Sequence, residues 1–145
     1  MLSELRVADL LAALGERTPA PASGSATALT AALAAALAEL ASRYAGDEDA
    51  AARAQELVRR LAELADEDAA AYTAFMADRN DATRRRIVEI PEEVAALADE
   101  AGELAERQRA RLQKSVAGDA EAAVELAAAA ARVARRLAQI NVAPR

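Results

Sequence analysis

Pro19-Ala20-Pro21-Ala22-Ser23-Gly24-Ser25 runs without a charged residue into Ala26-Thr27-Ala28-Leu29-Thr30-Ala31-Ala32-Leu33-Ala34-Ala35-Ala36-Leu37-Ala38. Leu29, Leu33, Leu37 and Leu40 recur every three or four positions, the spacing of one helix face. Alanine fills most of the other faces. A helix apolar all round belongs inside a bundle, so the stretch to Ala45 predicts a long buried central helix with its leucine row in the core. The turn before it presents unpaired backbone N–H groups and the positive end of the helix dipole, a setting that favours an anion. Ser23, Gly24 and Ser25 are therefore candidate ligand contacts. The competing reading is a rigid connector with Ser23 or Ser25 as N-cap.

The composition agrees with a helical reading. Of 145 residues, 54% are hydrophobic but only 2% aromatic, and glycine and proline number five and four. Alanine dominates and β-branched residues are sparse, which points to an all-α single domain over residues 1–145. The net charge of −6, with no basic face, argues against nucleic acid. Cysteine and histidine are absent, which excludes disulfides, thiol or imidazole catalysis and most zinc sites. Chemistry is left to carboxylates, hydroxyls, Arg, Tyr, Lys114 and backbone dipoles. No signal peptide is visible, and the Ala26–Ala38 run is too short and too weakly apolar to span a membrane, so a cytoplasmic protein is expected.

About five helices follow from the periodicity. The first has Ser3 as N-cap, Leu5, Val7, Leu10, Leu11 and Leu14 inward, and Gly15 at its end. After the central helix Gly46 stops the chain, and Asp47 or Asp49 caps a third helix from Ala50 to about Asp78. Its inner stripe is Leu57, Leu61, Leu64, Asp68, Tyr72 and Phe75. Asp68 falls about 20° from Leu57 on the helical wheel, so a carboxylate sits in an apolar face. Such a group requires either a partnering arginine or a functional role. The fourth helix begins near Ala82 and continues through Pro91 as a kink. Gly118 and Asp119 read as a stop and restart, with Asp119 capping a fifth helix that carries Leu126, Val133, Leu137 and Ile140 inward. Arg84-Arg85-Arg86 reads as a solvated face.

Several of these stretches resemble, in order, the cyclodeaminase domain of formiminotransferase-cyclodeaminase and the related methenyltetrahydrofolate cyclohydrolases. The Pro19–Ser25 turn and following helix resemble the family's Pro-Thr-Pro-Gly-Gly-Gly-Ser turn and helix. Asp66-Glu67-Asp68-Ala69-Ala70-Ala71-Tyr72 resembles Asp-Glu-Asp-Ala-x-Ala-Phe, and Ile90-Pro91-Glu92-Glu93-Val94-Ala95 resembles Val-Pro-Leu-x-Val-Ala. Gly118-Asp119 and Ile140-Asn141-Val142 fall where the family has Ser-Asp and Ile-Asn-Leu. The chain resembles a shortened, diverged member: Ala22 and Ser23 stand at glycine positions, Ser42 to Asp47 replaces a lysine-rich segment, and relatives continue for another helix.

The resemblance implies an all-α, up-and-down bundle that forms a homodimer and performs cofactor-free folate one-carbon chemistry, with a tetrahydrofolate derivative as substrate. Either 5-formiminotetrahydrofolate cyclises with loss of ammonia, or the methenyl compound is hydrolysed. It also implies that Asp119 and Asp68 are the catalytic carboxylates, relaying a proton near the one-carbon centre. Ser23, Gly24 and Ser25 would contact the substrate, with Arg17 or Lys114 meeting its glutamate carboxylate. The alternative is a diverged relative without folate catalysis, a helical dimer that binds another small molecule or serves a structural role.

Overall fold

The computed structural model describes residues 1–142. One turn of 3-10 helix at Leu2–Glu4 precedes five α-helices: α1 (Val7–Gly15), α2 (Ser23–Tyr44), α3 (Glu48–Ala77), α4 (Asp81–Arg109) and α5 (Lys114–Val142). Helices α2 to α5 form the bundle. α2 packs against α3, α4 and α5, while α4 completes the ring by contacting both α3 and α5. α2 is thus central, as its composition requires.

The face of α2 that enters the core is the alanine face. Ala28, Ala31, Ala34, Ala35 and Ala38 are fully buried, whereas Leu33 is 63% exposed, Leu40 also faces outward, and Leu29 and Leu37 are only half-buried. The expectation of an inward leucine row is corrected here. Three neighbours press on α2, and methyl side chains let their backbones approach where leucine would hold them off. Bulk comes from the surrounding helices instead. Leu57, Leu61 and Leu64 of α3 and Ile90, Val94 and Leu104 of α4 fill the space around the alanines, each large side chain contributing about 1.5–3 kcal/mol by leaving water. Across its full 22 residues, with a mean hydropathy of 1.4 in its most apolar window, α2 is long and apolar enough to cross a membrane. The Ala26–Ala38 run alone is too short to span, but the helix carries apolar residues on both flanks of that run, and its packing on three sides is that of a core helix.

α1 lies outside this arrangement. None of its residues is buried, and Val7 and Leu11, expected inward, are exposed. Ser3 belongs to the 3-10 turn, and the residue preceding α1 is Arg6. The turn itself is anchored, because the Leu2 backbone N–H donates to Asp66 Oδ1 at 2.9 Å.

Helix ends follow local chemistry. Gly46 has φ +72°, the left-handed conformation that glycine adopts without strain. Asp47 then caps α3 by accepting from Ala50 N at 3.1 Å, and the Gln108 and Arg111 side chains donate to its other oxygen. Asn80 and Thr83 form a reciprocal capping box at the start of α4. α4 does continue through Pro91. The break before α5 comes after Arg109, and Gly118 and Asp119 lie inside α5 rather than at its start. One glycine costs a helix only about 1 kcal/mol, too little to end an alanine-rich one. The arginine run is not simply solvated: Arg86 pairs with Glu67 at 2.7 Å, and Arg84 stacks 5.5 Å from the Phe75 ring centre.

Candidate functional site

Asp66, Glu67 and Asp68 are consecutive on α3, so their side chains leave the helix about 100° apart. Each reaches a different element. Asp66 holds the N-terminal turn, with its second carboxyl oxygen buried and unpartnered. Glu67 accepts from Arg60 at 2.6 Å and Arg86 at 2.7 Å, and these guanidinium hydrogen bonds hold it below the usual carboxylate range. Among the described residues no cation pairs with Asp68. It turns toward the first turn of α2, where its carboxylate lies against Gly24 and accepts from the Ser25 hydroxyl at 3.2 Å.

Two features of α2 make room for this carboxylate. Gly24 lacks a Cβ, and a methyl group there would overlap the Asp68 carboxyl. Ala22, the residue preceding the helix, supplies no side-chain cap, so a carboxylate from another helix occupies the position that an N-cap side chain would take. Burial pushes the Asp68 carboxyl above its ordinary 3.8, against the opposing pull of the Ser25 hydroxyl and backbone N–H. Ser25 has one hydroxyl proton, and the Ala65 carbonyl also accepts it, at 2.9 Å. A protonated Asp68 resolves the competition by donating to Ser25 Oγ while Ser25 donates to Ala65. The site therefore favours a carboxyl that holds a proton to higher pH than a free aspartate.

Asp68 opens into a cavity of about 280 Å³. One wall is the turn before α2, including Pro19, Ala20, Ala22, Ser23 and Gly24, in which the Ala20–Pro21 peptide is cis. Tyr72, Pro91, Leu137 and Ile140 form the apolar remainder, and Asn141 adds an amide. A slot with apolar sides and a few polar groups suits a flat heterocycle, and its volume is close to the roughly 300 Å³ lower end of small-molecule pockets.

The sequence-derived candidates divide. Ser23, Gly24 and Asp68 meet at the cavity. Ser25 is fully buried with its hydroxyl engaged on Ala65 and Asp68, and it stands behind Asp68 rather than in the cavity wall. Arg17 is exposed two residues before Pro19 and is not part of the cavity wall. Lys114 and Asp119 sit at the other end of α5. From Asp119 to Asn141 that helix is continuous, which puts about 33 Å between them at 1.5 Å per residue. One chain cannot bring Asp119 and Asp68 to the same substrate atom. Of the two readings of Asp68, the partnering arginine is not found among the described residues; Ser25 and the α2 N-terminus take that place. Tyr72 reads as part of the inner stripe of α3, and Pro91, beyond its helix kink, and Asn141 enter only within stretches that resemble the family, none of them as a site residue. A proline inside a helix and an asparagine at the end of an apolar one were their available signals.

A model of the formiminotransferase-cyclodeaminase family matches residues 6–144. The chain belongs to that family. Formiminotetrahydrofolate cyclodeaminase from Thermotoga maritima has a similar structure, with a TM-score of 0.92 and 20% sequence identity over 98% of this chain and 80% of that one. At that identity the likeness concerns the cyclodeaminase fold. No curated protein matches the sequence. Within the family fold, the Asp68 cavity lies where the Pro19–Ser25 turn, the Asp66–Tyr72 segment, Pro91 and Asn141 converge, so four of the five resembling stretches, all but Gly118-Asp119, meet at a single place.

Proposed function

We propose that this family member carries out folate one-carbon chemistry in the Asp68 cavity, acting as a cyclodeaminase or cyclohydrolase, and that it works as a homodimer. The observation that carries the reading is Asp68: a half-buried carboxyl with no cationic partner among the described residues, raised above its ordinary range, at the wall of an apolar slot. A structural carboxylate on an apolar face would be expected to have an arginine. An acid–base catalyst needs a carboxyl that can both hold and accept a proton near neutrality.

In the cyclodeaminase reaction the N10 lone pair of 5-formiminotetrahydrofolate attacks the carbon of the protonated formimino group (N5–CH=NH2+) and forms the new N–C bond. Asp68 takes the N10 proton and delivers it to the NH2 group, which becomes the departing ammonia. The carbon–nitrogen bond then breaks, ammonia leaves, and the 5,10-methenyl cation remains. Hydrolysis uses the same carboxyl in the opposite sense. Water adds to the methenyl carbon and gives Asp68 a proton, Asp68 passes it to N5 as the N5–carbon bond breaks, and the remaining hydroxyl proton leaves to solvent as the 10-formyl carbonyl forms. In both directions the carboxylate form also stabilises the cationic one-carbon centre at close range.

The test is to supply each substrate to the purified protein and follow the methenyl chromophore and released ammonia against a no-protein control. Chromophore appearance with stoichiometric ammonia identifies the cyclodeaminase, and accelerated chromophore loss identifies the cyclohydrolase. No acceleration of either, with no saturable folate binding, contradicts the reading and leaves the fold in a helical module of other purpose.

A further inference from the structure

Pro91 has no backbone N–H, so within α4 the Ile87 carbonyl lacks the partner it would otherwise receive from the residue four positions on. That carbonyl is not left unpaired. Asn141 Nδ2, from the last turns of α5, donates to it at 2.7 Å. The amide is consequently fixed in one orientation: one of its two N–H groups is committed to α4, and its oxygen lies on the other side of the carboxamide carbon. Pro91 and Asn141 both line the Asp68 cavity. Among the described residues no hydrogen bond reaches Asn141 Oδ1, nor is that oxygen buried without a partner. It is an open acceptor held rigidly by a bond that costs the cavity nothing.

We infer that Asn141 is a specificity-determining residue whose Oδ1 accepts a hydrogen bond from a ring N–H or amino group of the ligand, and that Pro91 is the positioning residue that aims it. This rests on the folate reading for the identity of the ligand, whose pterin ring carries such donors. The other surroundings of the slot support the division of labour. Leu137, Ile140, Pro91 and Pro19 offer no acceptor from their side chains, so on the α4–α5 side of the slot Asn141 is the side-chain acceptor, while Ser23, Asp68 and Tyr72 serve the α2–α3 side. An N–H placed against Asn141 is paired. A carbonyl placed there would oppose oxygen to oxygen, so the slot discriminates by hydrogen-bond sense as well as by shape.

The arrangement makes two roles separable in a mutant cycle, because Ala at position 91 restores a backbone N–H to the Ile87 carbonyl. Asn141→Leu leaves that carbonyl unpaired and removes the acceptor. It is expected to lower the melting temperature and to weaken binding of pterin, measured calorimetrically, by about tenfold. Pro91→Ala/Asn141→Leu is expected to recover the stability lost in Asn141→Leu while still binding pterin weakly. Pro91→Ala alone keeps the asparagine but releases its amide, seen by NMR as loss of protection of the Asn141 side-chain protons, and binds pterin more weakly than wild type. Recovery of wild-type pterin affinity in the double variant would overturn the inference and make Asn141 purely structural. Failure of the wild-type protein to bind pterin or any tetrahydrofolate, with the amide still protected, would overturn the folate reading itself together with this ligand assignment.

Discussion

Asp68 and Gly24 form a pair in which each explains the other. The carboxyl can reach the α2 N-terminus only because Gly24 has no side chain, and the N-terminus accepts it because Ala22 leaves the position of a cap side chain empty. Gly24→Ala is expected to push the Asp68 carboxyl out of its place while α2 itself persists, alanine being a better helix former. Its signature is loss of turnover with the helical circular dichroism unchanged. Retained activity would show that the close approach is dispensable. The raised Asp68 carboxyl also has a consequence for stability. The folded state binds this proton more tightly than the unfolded chain, so its contribution is fully present below the ordinary value of 3.8 and is lost as pH rises through the folded value. Asp68→Asn removes that loss. Melting curves of the variant and wild type should converge in acid and separate in the variant's favour toward neutral pH.

At the scale of elements, α1 and α2 both carry apolar surface that their own chain leaves uncovered. Val7 and Leu11 on α1, and Leu33, Leu40 and Tyr44 on α2, are exposed in a protein with few large side chains to spare. A nine-residue helix is too short to be stable alone in water. In the homodimer proposed above, a second copy covers these faces. Leu33→Glu is accordingly expected to shift the protein to the mass of a monomer in light scattering, with little change to the bundle beneath, since Leu33 touches solvent rather than core. A monomeric wild-type protein would contradict the dimer. The leucine row was legible as a helical face, but not which way it pointed. Periodicity locates a stripe, and only the crowding of α3, α4 and α5 around α2 decides that methyl groups go inside. The α4–α5 boundary was misplaced for a related reason. Gly118-Asp119 has the residue types of a stop and cap, yet neither overcomes the helix propensity of the alanines around it.

For the whole molecule, the all-α class, the central helix, an aspartate cap of α3 at Asp47 or Asp49 and the passage of α4 through Pro91 were readable from composition and spacing. So was the anomaly at Asp68. What could not be read was which distant residues share a place. Asp119 looked equivalent to Asp68 until the continuity of α5 put it at the far end of the bundle, and Asn141 acquired meaning only when its amide met the carbonyl that Pro91 leaves free. The central claim is that the chain's chemistry resides in the Asp68 cavity. Its most direct test is the turnover of the active folate substrate by Asp68→Asn and Asp119→Asn side by side, each checked for unchanged helicity. The structure predicts a loss of at least about a hundredfold in kcat for Asp68→Asn, the scale of a removed acid–base group, and turnover within about twofold of wild type for Asp119→Asn. Full activity in Asp68→Asn, or its loss in Asp119→Asn alone, would contradict the account and move the active site to the other end of α5.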